Sequence, residues 1–269
     1  MKLIEWVKQA KTKIDSLDAE LIVVKALGFY DRVEIALHSD DDYDMSLADE
    51  MLEKRAGGLP LAYIIGKKEF FGRDFTVNKN VLIPRPETEQ IILSTLSIIK
   101  SEKMNDVSIL DIGTGSGCIP ITLKLELRSD GIESKISAVD ISKPALEVAK
   151  ENAARYGADI NFYESNLLEN VVELPDIIIA NLPYVDINWD WTSPELKFEP
   201  AMALFAEDGG LKLIKQLISD VVSKKNNLLG KHFLILEADT SQHDDVIGYA
   251  RSFGLELISH NSFILAFKY

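Results

Sequence analysis

Along the first 58 residues, apolar side chains fall at Leu3, Ile4 and Val7, then at Leu17, Leu21, Ile22, Val24 and Leu27, and again at Leu47, Met51 and Leu52. Spacings of three and four place them on one face of successive helices. The stretch therefore predicts a small helical bundle, interrupted at Gly28 and at an acidic run containing Asp40, Asp42 and Asp44. Gly57-Gly58-Leu59-Pro60 marks its end. Between Tyr63 and Val77, aromatic and β-branched residues are divided by Gly66 and Gly72-Arg73-Asp74, which suits a β-hairpin. Pro84 and Pro86 then stiffen the chain before a helix expected near Glu87, where Pro86 and two acids favour the first turn.

From Val107 onward the pattern alternates. Short β-branched runs at 108–112, 135–139, 160–163, 176–180 and 232–237 read as strands, and helical periodicity occupies 119–127, 144–156 and 211–224. Strand followed by helix, repeated, means a mostly parallel, doubly wound Rossmann-like α/β sheet. A helix at 241–253 and a closing hairpin of 255–259 with 263–267 complete it. The expected organisation is a helical N-terminal domain over 1–60, a linker with a hairpin over 61–84, and an α/β domain over 85–269.

Composition narrows the partners. Of 269 residues, 46% are hydrophobic and 27% charged, with no apolar run near the roughly 20 residues that span a bilayer. The first residues carry an early acid and no long apolar core, so a soluble cytoplasmic protein is expected, with no membrane association. A net charge of −14 argues against nonspecific grip on bare nucleic acid, which needs clustered Lys and Arg. Cys118 is the only cysteine, which excludes an intrachain disulfide; it reads as a packing residue after a Gly-rich turn. The four histidines lack metal-ligand spacing, and the acidic run departs from a calcium loop at Met45 and Met51, so no metal is expected.

Two stretches carry candidate chemistry. Asp111-Ile112-Gly113-Thr114-Gly115-Ser116-Gly117-Cys118 is a strand end, a Gly-rich turn and a helix start. The third Gly arrives one residue early for a dinucleotide fingerprint, and no Gly-Lys-Ser/Thr is present for a P-loop. Asp111 beside the turn suits a cation better than a pyrophosphate, and Asp140, ending the next strand, stands where an acid accepts bonds from ribose hydroxyls. Gly113, Thr114, Gly115 and Gly117 with these acids favour S-adenosyl-L-methionine (SAM) over a nucleotide. Asn166 is placed to meet an adenine edge, and Ile141 and Leu167 to sandwich the ring. The second stretch is Ile177–Ala180 followed by Asn181-Leu182-Pro183-Tyr184. Pro183 cannot continue a central strand, so Asn181 is presented at a carboxyl edge, where open α/β sheets bind ligands.

Taken together, these residues resemble the PrmC/HemK-type methyltransferases that modify a glutamine side chain of class-1 peptide-chain release factors. The resemblance runs over nearly the whole chain. It includes residues 61–66, Glu69-Phe70-Phe71-Gly72, the string Ile83-Pro84-Arg85-Pro86-Glu87-Thr88-Glu89, the Gly loop, Asn181 to Tyr184, and residues 199–204 with 208–211. Leu182 stands where the family usually has Pro, and Asn166 where it usually has Asp. The resemblance implies a class I SAM-dependent fold, S-adenosyl-L-homocysteine as product, and a release factor as protein substrate met by the helical N-terminal domain; a monomer is expected. It further implies that the Asn181 side-chain oxygen and the Leu182 carbonyl accept the two hydrogens of the substrate amide, that Pro183 stiffens the pair, and that Tyr184 stacks on the amide. Phe71 and the strap of Arg85, Pro86 and Glu87 would roof the substrate, with Arg85 and Glu87 paired to each other. Two alternatives stay open: an N-methyltransferase of nucleic-acid bases, since motifs of this kind are shared with them, and a SAM-binding scaffold without catalysis.

Overall fold

The computed structural model describes residues 1–189, 193–225 and 230–269. These form two compact units, Met1–Lys67 together with residues 193–198, and the rest of the described chain from Lys68 to Tyr269.

The first unit is helical. It contains α1 (Leu3–Ala10), α2 (Ser16–Leu27), α3 (Val33–Leu37), α4 (Ser46–Ala56) and α5 (Leu61–Ile65). Asp15 caps α2 by accepting from the Leu17 amide, and Gly28 ends it in the left-handed conformation. Leu3, Trp6, Val7, Ile22 and Leu52 form its core, and the Trp6 indole donates to Asp49 at 2.6 Å. Leu17 and Leu47, which periodicity assigns to that face, are about half exposed. Both lie in the first turn of a helix, before the buried stripe is established. The acidic run meets the chain start, with Asp42 3.4 Å from the terminal ammonium and Asp40 3.8 Å from Lys2. Residues 193–198 pack here too: Glu195 meets Arg55 at 2.6 Å, and the Phe198 ring lies against Gly58.

Residues 61–65 depart from expectation. They form α5 instead of entering the hairpin, because Pro60 supplies an extended lead-in and Gly66 a left-handed stop, which together favour one helical turn.

The second unit begins within the first strand of a hairpin, β1 (Lys67–Phe70) with β2 (Arg73–Thr76), followed by the strap, a short 3-10 turn at Pro86–Thr88 and α6 (Glu89–Ser101). The alternation follows as β3 (Asp106–Ile112), α7 (Cys118–Ser129), β4 (Glu133–Asp140), α8 (Lys143–Tyr156), β5 (Asn161–Glu164), β6 (Ile177–Ala180), α9 (Ala201–Leu204), α10 (Lys212–Lys224), β7 (Phe233–Glu237), α11 (His243–Ser252), β8 (Glu256–Asn261) and β9 (Ile264–Lys268). The seven-stranded sheet has the order β5-β4-β3-β6-β7-β9-β8. Its first five strands are parallel, and β9 runs antiparallel to both neighbours. The closing hairpin turns at Ser262 and Phe263, later than expected, and β8 extends to Asn261.

Burial on both faces explains why the strands read as continuous apolar runs. Ile177 and Ile179 belong to the core on one side of the sheet, and Ile178 and Ala180 to the core on the other. Fully burying each isoleucine contributes roughly 1.5–3 kcal/mol. Strand succession runs outward from β3 to β4 and β5, then resumes on the opposite side at β6 and β7. That reversal opens a crevice beyond the carboxyl ends of β3 and β6, the place where such sheets bind ligands.

Candidate active site

The crevice holds a cavity of about 300 Å³, within the size range of small-molecule sites. Gly113, Gly115 and Asp140 line one part of it, Ile141, Asn166 and Leu167 a second, and Asn181, Leu182 and Pro183 a third. The structure thus gathers nine sequence-selected residues from four strand ends. Asn80, Val81 and Leu82, ahead of the strap, and Met202, Ala203 and Phe205, in and just after α9, also contribute.

Asp111, Thr114 and Gly117 are not in the wall. Asp111 is 1% exposed, and neither of its carboxylate oxygens has a hydrogen-bond partner among the described residues. Burial pushes its pKa up to about 7, against the pull of the neighbouring Thr114 hydroxyl and with added repulsion from Asp140. A buried acid without a donor is costly, and it is the feature a cationic ligand over the loop would answer. Asp140 is raised by burial as well, while the Gly115 amide at 2.9 Å and the Ser142 amide at 2.8 Å hold its two oxygens. Asp140 thereby fixes the Gly loop and keeps remaining lone pairs for a ligand. Gly117 has φ +78°, and a Cβ there would lie 3.0 Å from Ile121 and 3.1 Å from Ala149, so glycine lets α7 pack on α8. Burial lifts the Cys118 thiol to about 12, which fits a packing role and disfavours a thiolate.

On the opposite wall, Asn181 Nδ2 donates to Thr88 Oγ1 at 3.0 Å. Tyr184 does not line the cavity. Its hydroxyl donates to Glu237 Oε1 at 3.0 Å, and burial together with that carboxylate raises its pKa. The Tyr184 carbonyl accepts from Gln242 Nε2 at 2.8 Å, and the same nitrogen reaches the Gly209 carbonyl at 2.7 Å. Gly210 lies so close that a Cβ would fall 1.9 Å from the Tyr184 carbonyl oxygen. The 181–184 turn is consequently fixed by groups from three later segments.

The remaining sequence-selected residues lie outside the wall. Phe71 is partly buried against the core cluster that contains Phe70 and Phe75, with φ +52°, and its amide donates to Glu89. Arg85 is bonded to Glu199, and Glu87 is not its partner. Glu199 is buried and also accepts from the Ile83 amide at 3.0 Å, so it staples the strap at two points and outcompetes the exposed Glu87. Pro86 opens the 3-10 turn that positions Thr88. Sequence reasoning passed over Thr88, Glu237 and Gln242 as site residues. The only available signals were a Glu closing an otherwise apolar strand and the placement of Thr88 within the string Ile83 to Glu89.

Comparison with known proteins identifies the family. Residues 88–237 match the model of the methyltransferase small domain, and residues 4–66 match that of the PrmC N-terminal domain. A release factor glutamine methyltransferase of Neisseria gonorrhoeae is 35% identical over 91% of this chain and 87% of its own. One from Bacillus anthracis is 38% identical over 74% of this chain and 70% of its own. Among solved structures, the hMettl16 catalytic domain in complex with the MAT2A 3'UTR hairpin 6 superposes with a TM-score of 0.53 at 18% identity, covering 82% of this chain and 81% of that one, which is a likeness of fold. The chain belongs to the release factor glutamine methyltransferase family, with a methyltransferase domain preceded by a PrmC-type N-terminal domain.

Proposed function

We propose that this protein transfers a methyl group from SAM to the side-chain amide nitrogen of a glutamine in a class-1 release factor, acting in the cytoplasm as a monomer. The observation that carries the reading is the cavity that joins the acid-flanked Gly loop to Asn181, Leu182 and Pro183. The residues present fit the cofactor. Buried Asp111 and half-buried Asp140 favour a positive ligand, Gly113 and Gly115 permit close approach, and Ile141 and Leu167 offer apolar surface. When bound, SAM supplies an electrophilic methyl on a sulfonium.

The chain's own part is positioning and electrostatics. A carboxamide nitrogen is a weak nucleophile because its lone pair is delocalised, so holding it in line can supply up to roughly 7–11 kcal/mol. With Nδ2 donating to Thr88, the oxygen of Asn181, a residue of the cavity wall, is the group left to serve as an acceptor. That oxygen and the Leu182 carbonyl would take the two amide hydrogens and favour the positive charge that grows on nitrogen. Leu182 can replace the family's Pro because a backbone carbonyl is the group required. Tyr184, bonded to Glu237, supports the turn from behind, in place of the stacking role the resemblance implies. The strap of Arg85, Pro86 and Glu87 helps to hold Thr88 in reach, and Phe71 braces the hairpin from the core.

Incubation of a purified release factor with this protein and SAM, read by intact mass and fragmentation, tests the proposal. One methyl on a glutamine side-chain nitrogen is expected, with at least a hundredfold loss in Asn181→Ala. Transfer to RNA or DNA in its place would overturn it, and cofactor binding without transfer to any of these would indicate a scaffold.

A further inference from the structure

Asn181 must show its oxygen, not its NH2, to the cavity if it is to accept a substrate hydrogen. An amide has no intrinsic preference between the two, so something fixed must choose. The immediate partner is Thr88 Oγ1, buried at 3% exposure and 3.0 Å from Asn181 Nδ2. A hydroxyl has one proton and two lone pairs, and it orders a neighbouring amide only if that proton is committed elsewhere.

We propose that Glu237 is a positioning residue that commits the Thr88 proton and thereby sets which end of the Asn181 carboxamide faces the cavity. Glu237 closes β7 at 1% exposure. Its Oε1 accepts from the Tyr184 hydroxyl at 3.0 Å, while Oε2 is buried without another partner in bonding geometry among the described residues. Thr88 and Asn181 both lower the pKa of this carboxylate, and the Thr88 proton, which the bond from Asn181 leaves uncommitted, has the unpartnered Oε2 as an acceptor. An ionised carboxylate only accepts. Tyr184 then donates to Oε1, Thr88 donates to Oε2 in the proposed arrangement, its lone pairs are left for Asn181, and the amide oxygen faces the cavity. Protonation breaks the ordering, because a neutral carboxyl offers a donor of its own.

The groups facing Glu237 decide where this happens. Burial raises its pKa to about 7, with further repulsion from Glu87, while Thr88, Tyr184 and Asn181 oppose the rise. Asp239 acts on the Tyr184 phenol. No cation among the described residues contributes to these shifts, so the switch lies near neutrality.

The inference rests on the proposed amide transfer, and two readouts separate their failures. The first is independent of turnover: side-chain amide proton and nitrogen resonances of Asn181, followed by NMR across the neutral range. In the wild type they should titrate near neutrality, and in Glu237→Gln they should not. The second is kinetic. Glu237→Gln should lower kcat by about 10–100-fold, remove the acidic limb of its pH profile and leave SAM affinity within about threefold, and Thr88→Ser should retain more of kcat than Thr88→Val. Asn181 resonances that do not titrate in the wild type, or a Glu237→Gln variant with unchanged kcat and pH profile, would overturn the assignment. If the wild type shows the titration but never methylates a release factor, the substrate reading is what has failed.

Discussion

Replacing Asp111 by Asn isolates the cost of burying an unpartnered acid. The carboxylate has an unfolded pKa near 3.8 and a folded value of about 7, raised chiefly by burial. A group raised on folding contributes stability that is fully present below its unfolded pKa and lost as pH rises through its folded one. The wild type should therefore lose roughly 2.5 kcal/mol from this residue between about pH 5 and pH 8, and the Asp111→Asn variant should lose none of it. For a chain of this size that corresponds to a difference in melting temperature of roughly 5–10 °C developing across the range. The assay is thermal and urea unfolding of both proteins at matched ionic strength, read as the difference between them so that other carboxylates cancel. A difference that stays constant with pH would refute the argument, since it would mean that Asp111 has an ordinary pKa or a partner. A cationic ligand favours the ionised form, so the wild type's gain in melting temperature on adding SAM should grow from pH 5 to pH 8 and the variant's should not.

Two substitutions test the scaffold around the site. Gly210→Ala must adopt φ +84° and displace the Tyr184 carbonyl, so it should cost at least roughly 1–2 kcal/mol in urea unfolding and lower methyl transfer further than that loss explains. Asn152→Ala removes bonds to the Thr76 amide and carbonyl and to the Ser116 carbonyl. It should cost roughly 2–4 kcal/mol and weaken SAM binding measured by calorimetry, because the Gly loop and the hairpin share that anchor.

What could be read in advance follows from the range of the forces involved. The central strands were legible because burial on both faces demands uninterrupted β-branched residues, as in Ile177–Ala180. Asn181 was legible because a Pro two residues later must end the strand. Thr88, Glu237 and Gln242 were not, since their roles depend on partners 93, 53 and 58 residues away and on nothing local. Arg85 was assigned the wrong acid for the same reason, as Glu199 lies 114 residues on. The helical turn at Leu61–Ile65 was missed because its β-branched and aromatic content outweighed, on paper, a Pro start and a Gly stop.

The return of residues 193–198 to the N-terminal helices changes what counts as a module. The main chain passes between the two units three times, so the first 67 residues are not a self-contained cassette. Cutting the gene there would leave Glu195 and Phe198 without Arg55 and Gly58 as partners. A chimaera that exchanges recognition domains between relatives must transplant both pieces, and natural recombination at a single breakpoint would be expected to fail where a paired exchange succeeds.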